Sequence, residues 1–356
     1  MTDDAFDVHS PAAERWLEDI AGSNADERLK KSLAEVLSVL KAGREIDEDR
    51  PFLSVVMRTQ GKKLEALQDA LLTLVGQTDQ DFELLLMAHN TDEAVLSSLR
   101  EIVDWQMPSF RSRVQLIDVQ GGGRSRPLNE AIEVGRGRYF VFFDDDDMVF
   151  GNWVEAFHSA AEQNPSRLLR AIASTQKVRS EVWPGGVLGF RTLTWPKAEY
   201  LRNFEYERHL EVNHSPFMSV AFPRELFFLW GERFDEVLDV CEDWDLILRG
   251  AFLLGVHSID ELTAIYRLWT GVTSSYTEHD RASWKASEDR VRKKLNSRPS
   301  ILPEGAPASI VESVKQVEDR AVVDMQVVND FLNSTSWKVT APLRKVTRKV
   351  RSLRGK

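Results

Sequence analysis

Four consecutive carboxylates, Asp144-Asp145-Asp146-Asp147, directly follow the apolar run Tyr139-Phe140-Val141-Phe142-Phe143. Like charges this close repel unless a cation neutralises them. Hard oxygen ligands suit Mg²⁺ or Mn²⁺, ions that bridge carboxylates to a diphosphate. A solvated acidic turn capping the next helix would use the same residues, but their place after an apolar strand favours the metal. About a hundred residues on, Cys241-Glu242-Asp243-Trp244-Asp245 sets three acids within four residues where a helical pattern begins. Such acids cap helices and complement the helix dipole. Paired with the first cluster they suit another task as well: a carboxylate, separate from the metal, that deprotonates an attacking hydroxyl.

Gly121-Gly122-Gly123-Arg124-Ser125-Arg126 is the third group. Its glycines permit close backbone approach, and Arg124 and Arg126 could contact phosphate. A flexible loop with solvated arginines is the alternative. No Gly-Lys-Ser/Thr follows, so it is not a P-loop. Trp183, Trp195 and Trp230 could stack on sugar rings or belong to the core. His214 and His279 could approach a diphosphate, with His279 after Ser274-Ser275-Tyr276 where a lid would close.

These groups need a frame, and the hydrophobic pattern supplies one. Phe52–Met57, Phe82–Ala88, Arg113–Val119 and Arg138–Phe143 read as strands. Leu64–Leu74, Val95–Ile102 and Leu128–Val134 read as the helices between them. Alternation of this kind implies a parallel sheet with helices on both faces and ligands beyond the carboxyl ends of the strands. Arg58-Thr59-Gln60, His89-Asn90, Gly121–Gly123 and Asp144–Asp147 all fall at those ends. A helix is expected over Trp153–Gln163, opened by Asn152, and another from near Asp243 to Gly255. Residues 165–240 read as short strands and loops. Leu29, Leu33, Val36, Leu37 and Leu40 mark an earlier helix, capped by Asn24 and stopped by Gly43.

Composition bounds the classes. The chain has 356 residues, 42% of them hydrophobic and 29% charged, ordinary for a protein with a real core. No apolar run approaches the roughly 18–20 residues of a membrane span, and the acidic start Met1-Thr2-Asp3-Asp4 does not look like a signal peptide. With Cys241 alone, a reducing, cytoplasmic setting is expected. From Lys338 to Lys356 there are eight Lys or Arg and no acid, so the net −10 of the chain leaves −18 for the remainder. An acidic body argues against nucleic-acid binding.

The order of these motifs resembles the inverting family 2 glycosyltransferases. It runs through Arg58-Thr59-Gln60, Gln77-Thr78-Asp79-Gln80-Asp81-Phe82-Glu83, Gly123 to Asn129, Gly137-Arg138-Tyr139, Asp144–Asp147 and Glu242-Asp243-Trp244-Asp245-Leu246. The resemblance covers about residues 51–280, including Phe222-Pro223-Arg224 and Phe234-Asp235-Glu236. It implies an α/β fold of the GT-A, Rossmann-like type with a mostly parallel sheet and helical extensions at both ends. The expected organisation is an N-terminal helical extension over 1–49 and a catalytic domain over 50–290, divided at 150 into nucleotide-binding and acceptor halves. A helical segment over 291–334 and a basic tail over 335–356 follow. By resemblance, Asp144 touches the nucleotide ribose, Asp146 ligates the divalent metal together with Asp144, and Asp147 shapes that site. Asp243 is the base, with Glu242 positioning it. Arg58, Thr59, His89, Asn90, Gly123, Arg124, Arg126, Asn129 and Asp145 surround the nucleotide-sugar, a UDP-sugar being the donor favoured. Trp244, Trp183 and Trp195 stand on the acceptor side. The implied acceptor is a glycan or lipid-linked hydroxyl.

Two departures stand out. Met87-Ala88-His89-Asn90-Thr91-Asp92 lacks the acid pair that many members carry after the second strand, leaving His89 or Asn90 to read the base. Arg58 stands where many members have proline. These departures keep open a non-catalytic binding or scaffold protein; a sugar nucleotidyltransferase would leave Glu242-Asp243-Trp244 without a role. In the tail, Leu343, Val346, Val350 and Leu353 share a helical face among basic residues with Trp337 at the start. That pattern suits the anionic inner face of the plasma membrane through residues 337–356, or a protein partner. The tail stretch Asn333–Arg344 also resembles tails of bacterial surface-polysaccharide glycosyltransferases. Val311–Leu332 is an amphipathic helix that could pack on its own chain or pair two chains as a homodimer.

Overall fold

The computed structural model describes residues 12–23, 26–42, 49–184, 186, 188–270, 281–302 and 305–340. Asn24, Gly43, the Ser274–His279 segment and most of the basic tail lie outside them. The chain forms two compact units, Met1–Glu304 and Gly305–Lys356.

The first unit is built on a nine-stranded sheet. Strands β1 (Leu53–Thr59), β2 (Phe82–His89), β3 (Val114–Val119) and β4 (Tyr139–Asp144) lie in the order β3-β2-β1-β4, all parallel. Every residue of β2 is buried, and in β4 only Asp144 is not. Strands covered on both faces must be apolar throughout, which is why these segments show no polar alternation. Helices α3 (Leu64–Val75), α4 (Glu93–Asp104), α5 (Pro108–Arg111) and α6 (Arg126–Val134) connect them. Register then sets the site: Met57 pairs with Phe143 and Arg58 with Asp144, so β1 delivers an arginine beside the first aspartate.

The rest of the sheet departs from the expected short strands. A turn at Asp144–Asp147 leads to the two-residue β5 (Met148–Val149), and α7 (Trp153–Gln163) follows with the expected bounds. Asn152 does not cap α7 through its side chain; its amide donates to Glu261 instead. β6 (Leu168–Val182) is 15 residues long, pairs with the short β7 (Leu188–Thr192), and runs parallel to another 15-residue strand, β9 (Val256–Thr270). β8 (Val220–Pro223) is antiparallel to both β4 and β6 and joins the two halves. The sheet is therefore parallel around β1 and mixed beyond β4. Phe142 stitches the halves at side-chain level, with ring centroids 4.9 Å from Phe217 and 4.8 Å from Phe234. Truncating so buried an aromatic costs about 3–5 kcal/mol.

α8 (Tyr206–Glu211), α9 (Arg224–Phe228) and α10 (Glu242–Leu254) complete the mixed half, and Gly255, at φ +81°, ends α10. The N-terminal helices α1 (Ala12–Ser23) and α2 (Glu27–Ala42) pack together, and α1 also lies against α10, so the extension is part of this unit. α11 (Arg281–Asn296) crosses the boundary expected at 290: its Arg290 and Lys294 both bind Asp235, at 3.0 and 3.1 Å. The second unit holds α12 (Ala306–Asn333) and α13 (Thr335–Val339), where Phe331 packs on Trp337 with centroids 4.5 Å apart. Val311, Val314, Val317, Met325 and Phe331 are exposed on α12. No helix among the described residues is long and apolar enough to cross a membrane.

Candidate active site

The turn after β4 sorts its four carboxylates. Asp147 closes it by donating its N–H to the Asp144 carbonyl at 3.3 Å. Its own carboxylate is buried and accepts the Arg267 N–H of β9 at 2.6 Å. Asp145 accepts the Thr59 hydroxyl from the end of β1. Asp146 pairs with Lys63 at 2.6 Å, and that ammonium lies 4.3 Å from the centre of the Trp269 ring. Asp144 has Arg58 at 3.4 Å. Asp145 and Asp147 are thus engaged inward, while Asp144 and Asp146 keep 34% and 21% of their side-chain surface accessible.

Burial, then repulsion from Asp146, pushes Asp145 up to about 7, and the same causes push Asp147 well above the carboxylate range. Burial also raises Asp146, against the pull of Lys63. A cation would relieve this crowding. Among the described residues no three His, Cys, Asp or Glu side chains converge as a self-sufficient metal cage. Mg²⁺ and Mn²⁺ need none where substrate phosphates complete the shell: one or two carboxylates suffice. The pair Asp144 and Asp146 fits that requirement.

α10 brings the second acidic group to the same place. One cleft of about 200 Å³ is lined by Arg124, Asp144, Glu242 and Asp243 together, with Tyr200 and Tyr266 on its walls. Cys241 opens α10 in the left-handed region, φ +65°, a costly conformation for a residue with a Cβ and one that concentrates at functional sites. Glu242 is buried and receives Arg124 at 2.6 Å and Arg58 at 3.7 Å; Arg58 also donates to the Arg124 carbonyl at 2.8 Å. Burial alone would lower the Arg124 guanidinium, but Glu242, Asp144 and Asp243 outweigh it and hold the group above its ordinary value. Asp243 accepts the Asn213 amide at 2.8 Å and the Trp244 N–H at 2.7 Å. Its carboxyl is pushed up to about 7 by burial first and by Glu242 second, a suitable value for a general base near neutral pH.

The structure thus brings Arg58, Arg124, Asp144, Glu242 and Asp243 together. It gives other expected site residues different work. His89 is buried, and its Nε2 meets the Gly121 carbonyl at 3.2 Å and the Asn90 amide at 3.1 Å. Asn90, at φ +54°, accepts the Gly121 N–H at 2.6 Å. This corner laces β2 to the glycine loop rather than presenting His89 to a base. Gly123 stands 3.6 Å (from an ideal Cβ position) from the Glu236 carbonyl, and Asn129 exchanges hydrogen bonds with the Phe234 backbone, tying the loop to the mixed half. Arg126 pairs with Glu130 at 2.8 Å, its stem folded over Gly122, outside the cleft lining.

The tryptophans also differ from expectation. Trp183 and Trp195 are 51% and 88% exposed and do not line the cleft, and Trp230 is only partly buried. Trp244 does line it, yet it is buried, and its indole N–H donates to the His209 carbonyl at 2.6 Å, so it serves as a wall. His214 is not among the cleft lining; it packs on His209 with centroids 5.7 Å apart. Sequence reasoning missed Lys63 and Asn213. Lys63 had a signal, a basic pair just beyond β1, whereas Asn213 had none.

Residues 54–222 match the family model described as glycosyl transferase family 2. That segment takes in the parallel half of the sheet, the aspartate turn and most of β8, the strand that joins the halves; Glu242 and Asp243 lie beyond it. An uncharacterized glycosyltransferase of Methanocaldococcus jannaschii is 22% identical over 201 residues, 56% of this chain and 65% of that protein. Among solved structures, Staphylococcus aureus TarS 1–349 in complex with UDP-GlcNAc aligns with a TM-score of 0.48 and 14% identity, over 68% of this chain and 71% of that one. TarS 1–349 without that ligand gives 0.43 and 16%, over 61% and 60%. These structural likenesses are too distant to assign a substrate.

Proposed function

We propose that this chain is a metal-dependent, inverting glycosyltransferase. It moves a sugar from a nucleotide-sugar donor to a hydroxyl on a glycan or lipid-linked acceptor. The observation that carries this reading is the single cleft in which Asp144, from the turn after β4, meets Glu242 and Asp243 from the start of α10.

The chemistry follows from the positions. Asp243 accepts the proton of the acceptor hydroxyl as its oxygen attacks the sugar's anomeric carbon from the face opposite the diphosphate. The bond from that carbon to the diphosphate oxygen breaks, and the electron pair leaves with the nucleoside diphosphate. Asp144 and Asp146 would hold a divalent ion, which would supply positive charge against the departing diphosphate. Arg124 and Arg58 pair with the buried Glu242, which fixes the turn that carries Asp243. The raised carboxyl of Asp243 predicts transfer that increases with pH through about 7.

The test is nucleoside-diphosphate release over a panel of nucleotide sugars, UDP-sugars first, with and without Mg²⁺ or Mn²⁺. Asp243→Asn is expected to bind donor but not transfer. Full transfer by that variant would refute the assigned base.

A further inference from the structure

The loop that follows α8 passes over the start of α10, and its contacts are more directed than a covering loop needs. Asn213 donates from Nδ2 to Asp243 Oδ2 at 2.8 Å. The Oδ1 of the same amide accepts the Ser215 N–H at 2.9 Å. That second bond settles the orientation of the amide, because flipping it would set NH₂ against N–H and oxygen against a carboxylate.

Ser215 is in turn anchored. It is fully buried, its hydroxyl accepts Arg170 Nε at 3.3 Å, and His209 Nε2 lies 2.8 Å from the same oxygen. Arg170, fully buried on β6, donates onward to the carbonyls of Arg202 at 2.7 Å and His214 at 3.1 Å. The loop is therefore held by β6, while the Trp244 indole N–H holds α8 just before it through the His209 carbonyl. A buried arginine with no carboxylate partner among the described residues is an expensive way to hold a loop unless the position of that loop matters.

We propose that Asn213 is the positioning residue for Asp243: it fixes the carboxylate's rotamer and favours its charged form by donating to Oδ2. Trp244 N–H engages Oδ1, so each oxygen keeps a lone pair for the incoming hydroxyl proton. The charged and titratable groups facing Asp243 are Glu242 on its own helix, Arg124 from the glycine loop and Asp144 from the β4 turn. Glu211, Tyr266 and Glu288 stand on the cleft walls. Asn213 is the neutral side-chain donor among them that bonds the carboxylate directly.

The inference rests on the transferase reading above, and its test separates the two. Full-length wild type, Asn213→Ala, Asn213→Asp and Asp243→Asn are compared by nucleoside-diphosphate release against pH, using the donor that wild type turns over. Asn213→Ala should move the acid limb up by about one pH unit and lower kcat about tenfold, with donor KM changed less than about twofold. Asn213→Asp retains an oxygen for the Ser215 N–H, which preserves the loop, but sets a second carboxylate against Asp243. It should move the limb further in the same direction. An inactive Asp243→Asn beside Asn213 variants with an unmoved acid limb overturns the positioning role and leaves the base intact. A fully active Asp243→Asn, or no release by wild type with any donor, overturns both.

Discussion

The Arg124–Glu242 pair ties the glycine loop to the start of α10, and its removal has a calculable cost. Glu242 retains only 4% of its side-chain surface, and Arg124 sits 2.6 Å from Oε1. Removing one partner of a buried pair leaves an uncompensated charge, which costs about 3–5 kcal/mol. Here Arg58 remains 3.7 Å from the same oxygen and offsets part of the loss, so Arg124→Met is expected to cost about 2–3 kcal/mol. In a body of this size that corresponds to a melting temperature lower by about 4–6 °C. Arg124→Met combined with Glu242→Leu removes both charges, and apolar replacement of a whole buried pair is close to neutral, within about 1 kcal/mol. Urea unfolding of the four proteins of this cycle gives the coupling directly. Additive single and double variants, within about 0.5 kcal/mol, would show that the two side chains do not act as a buried pair and would refute the reasoning.

Three further outcomes follow. Asp146→Ala should abolish metal-dependent nucleoside-diphosphate binding, whereas Lys63→Gln frees the Asp146 carboxylate and should tighten it; calorimetry with Mn²⁺ and a nucleoside diphosphate reads both, and weaker binding by Lys63→Gln would contradict the pairing. Asp243 has its folded value raised from 3.8 to about 7, so the fold binds this proton more tightly than the unfolded chain does. That contribution is present below about pH 4 and is lost as pH rises through 7; Asp243→Asn should therefore be about 1–3 kcal/mol more stable than wild type at pH 8, with no gain near pH 4, as denaturant titrations at the two pH values would show. Vesicles containing anionic lipid should bind the full chain at low salt and lose it on deletion of residues 337–356, and undiminished binding by the truncated chain would remove the tail from the account.

The parallel half of the fold was open to sequence reasoning because strands covered on both faces must be apolar, and Leu84–Ala88 and Phe140–Phe143 advertise that. The mixed half was not. β6 and β9 carry Arg170, Thr263 and Arg267 at buried positions, each tolerated through partners distant in sequence, so neither strand shows a period of two. Two register shifts between Arg170 and Ala173 blur the pattern further.

The site divides along the same physical line. Asp144, Glu242 and Asp243 stand out because clustered charge is costly and invites an explanation. Asn213 is a neutral amide in a loop, and only the geometry shows what it faces. His89, Asn90 and Asn129 show a second use for residues expected at the nucleotide-sugar. Polar residues at strand ends resemble ligand groups in a sequence, yet here they satisfy the backbone of neighbouring loops.

The central claim is that the two acidic groups form one glycosyl-transfer site, and metal-dependent nucleoside-diphosphate release tests it most directly. The expected result is release from at least one nucleotide sugar in the presence of Mg²⁺ or Mn²⁺, abolished separately by Asp146→Ala and by Asp243→Asn. Release that persists in both variants, or none from any donor with either metal, would contradict it.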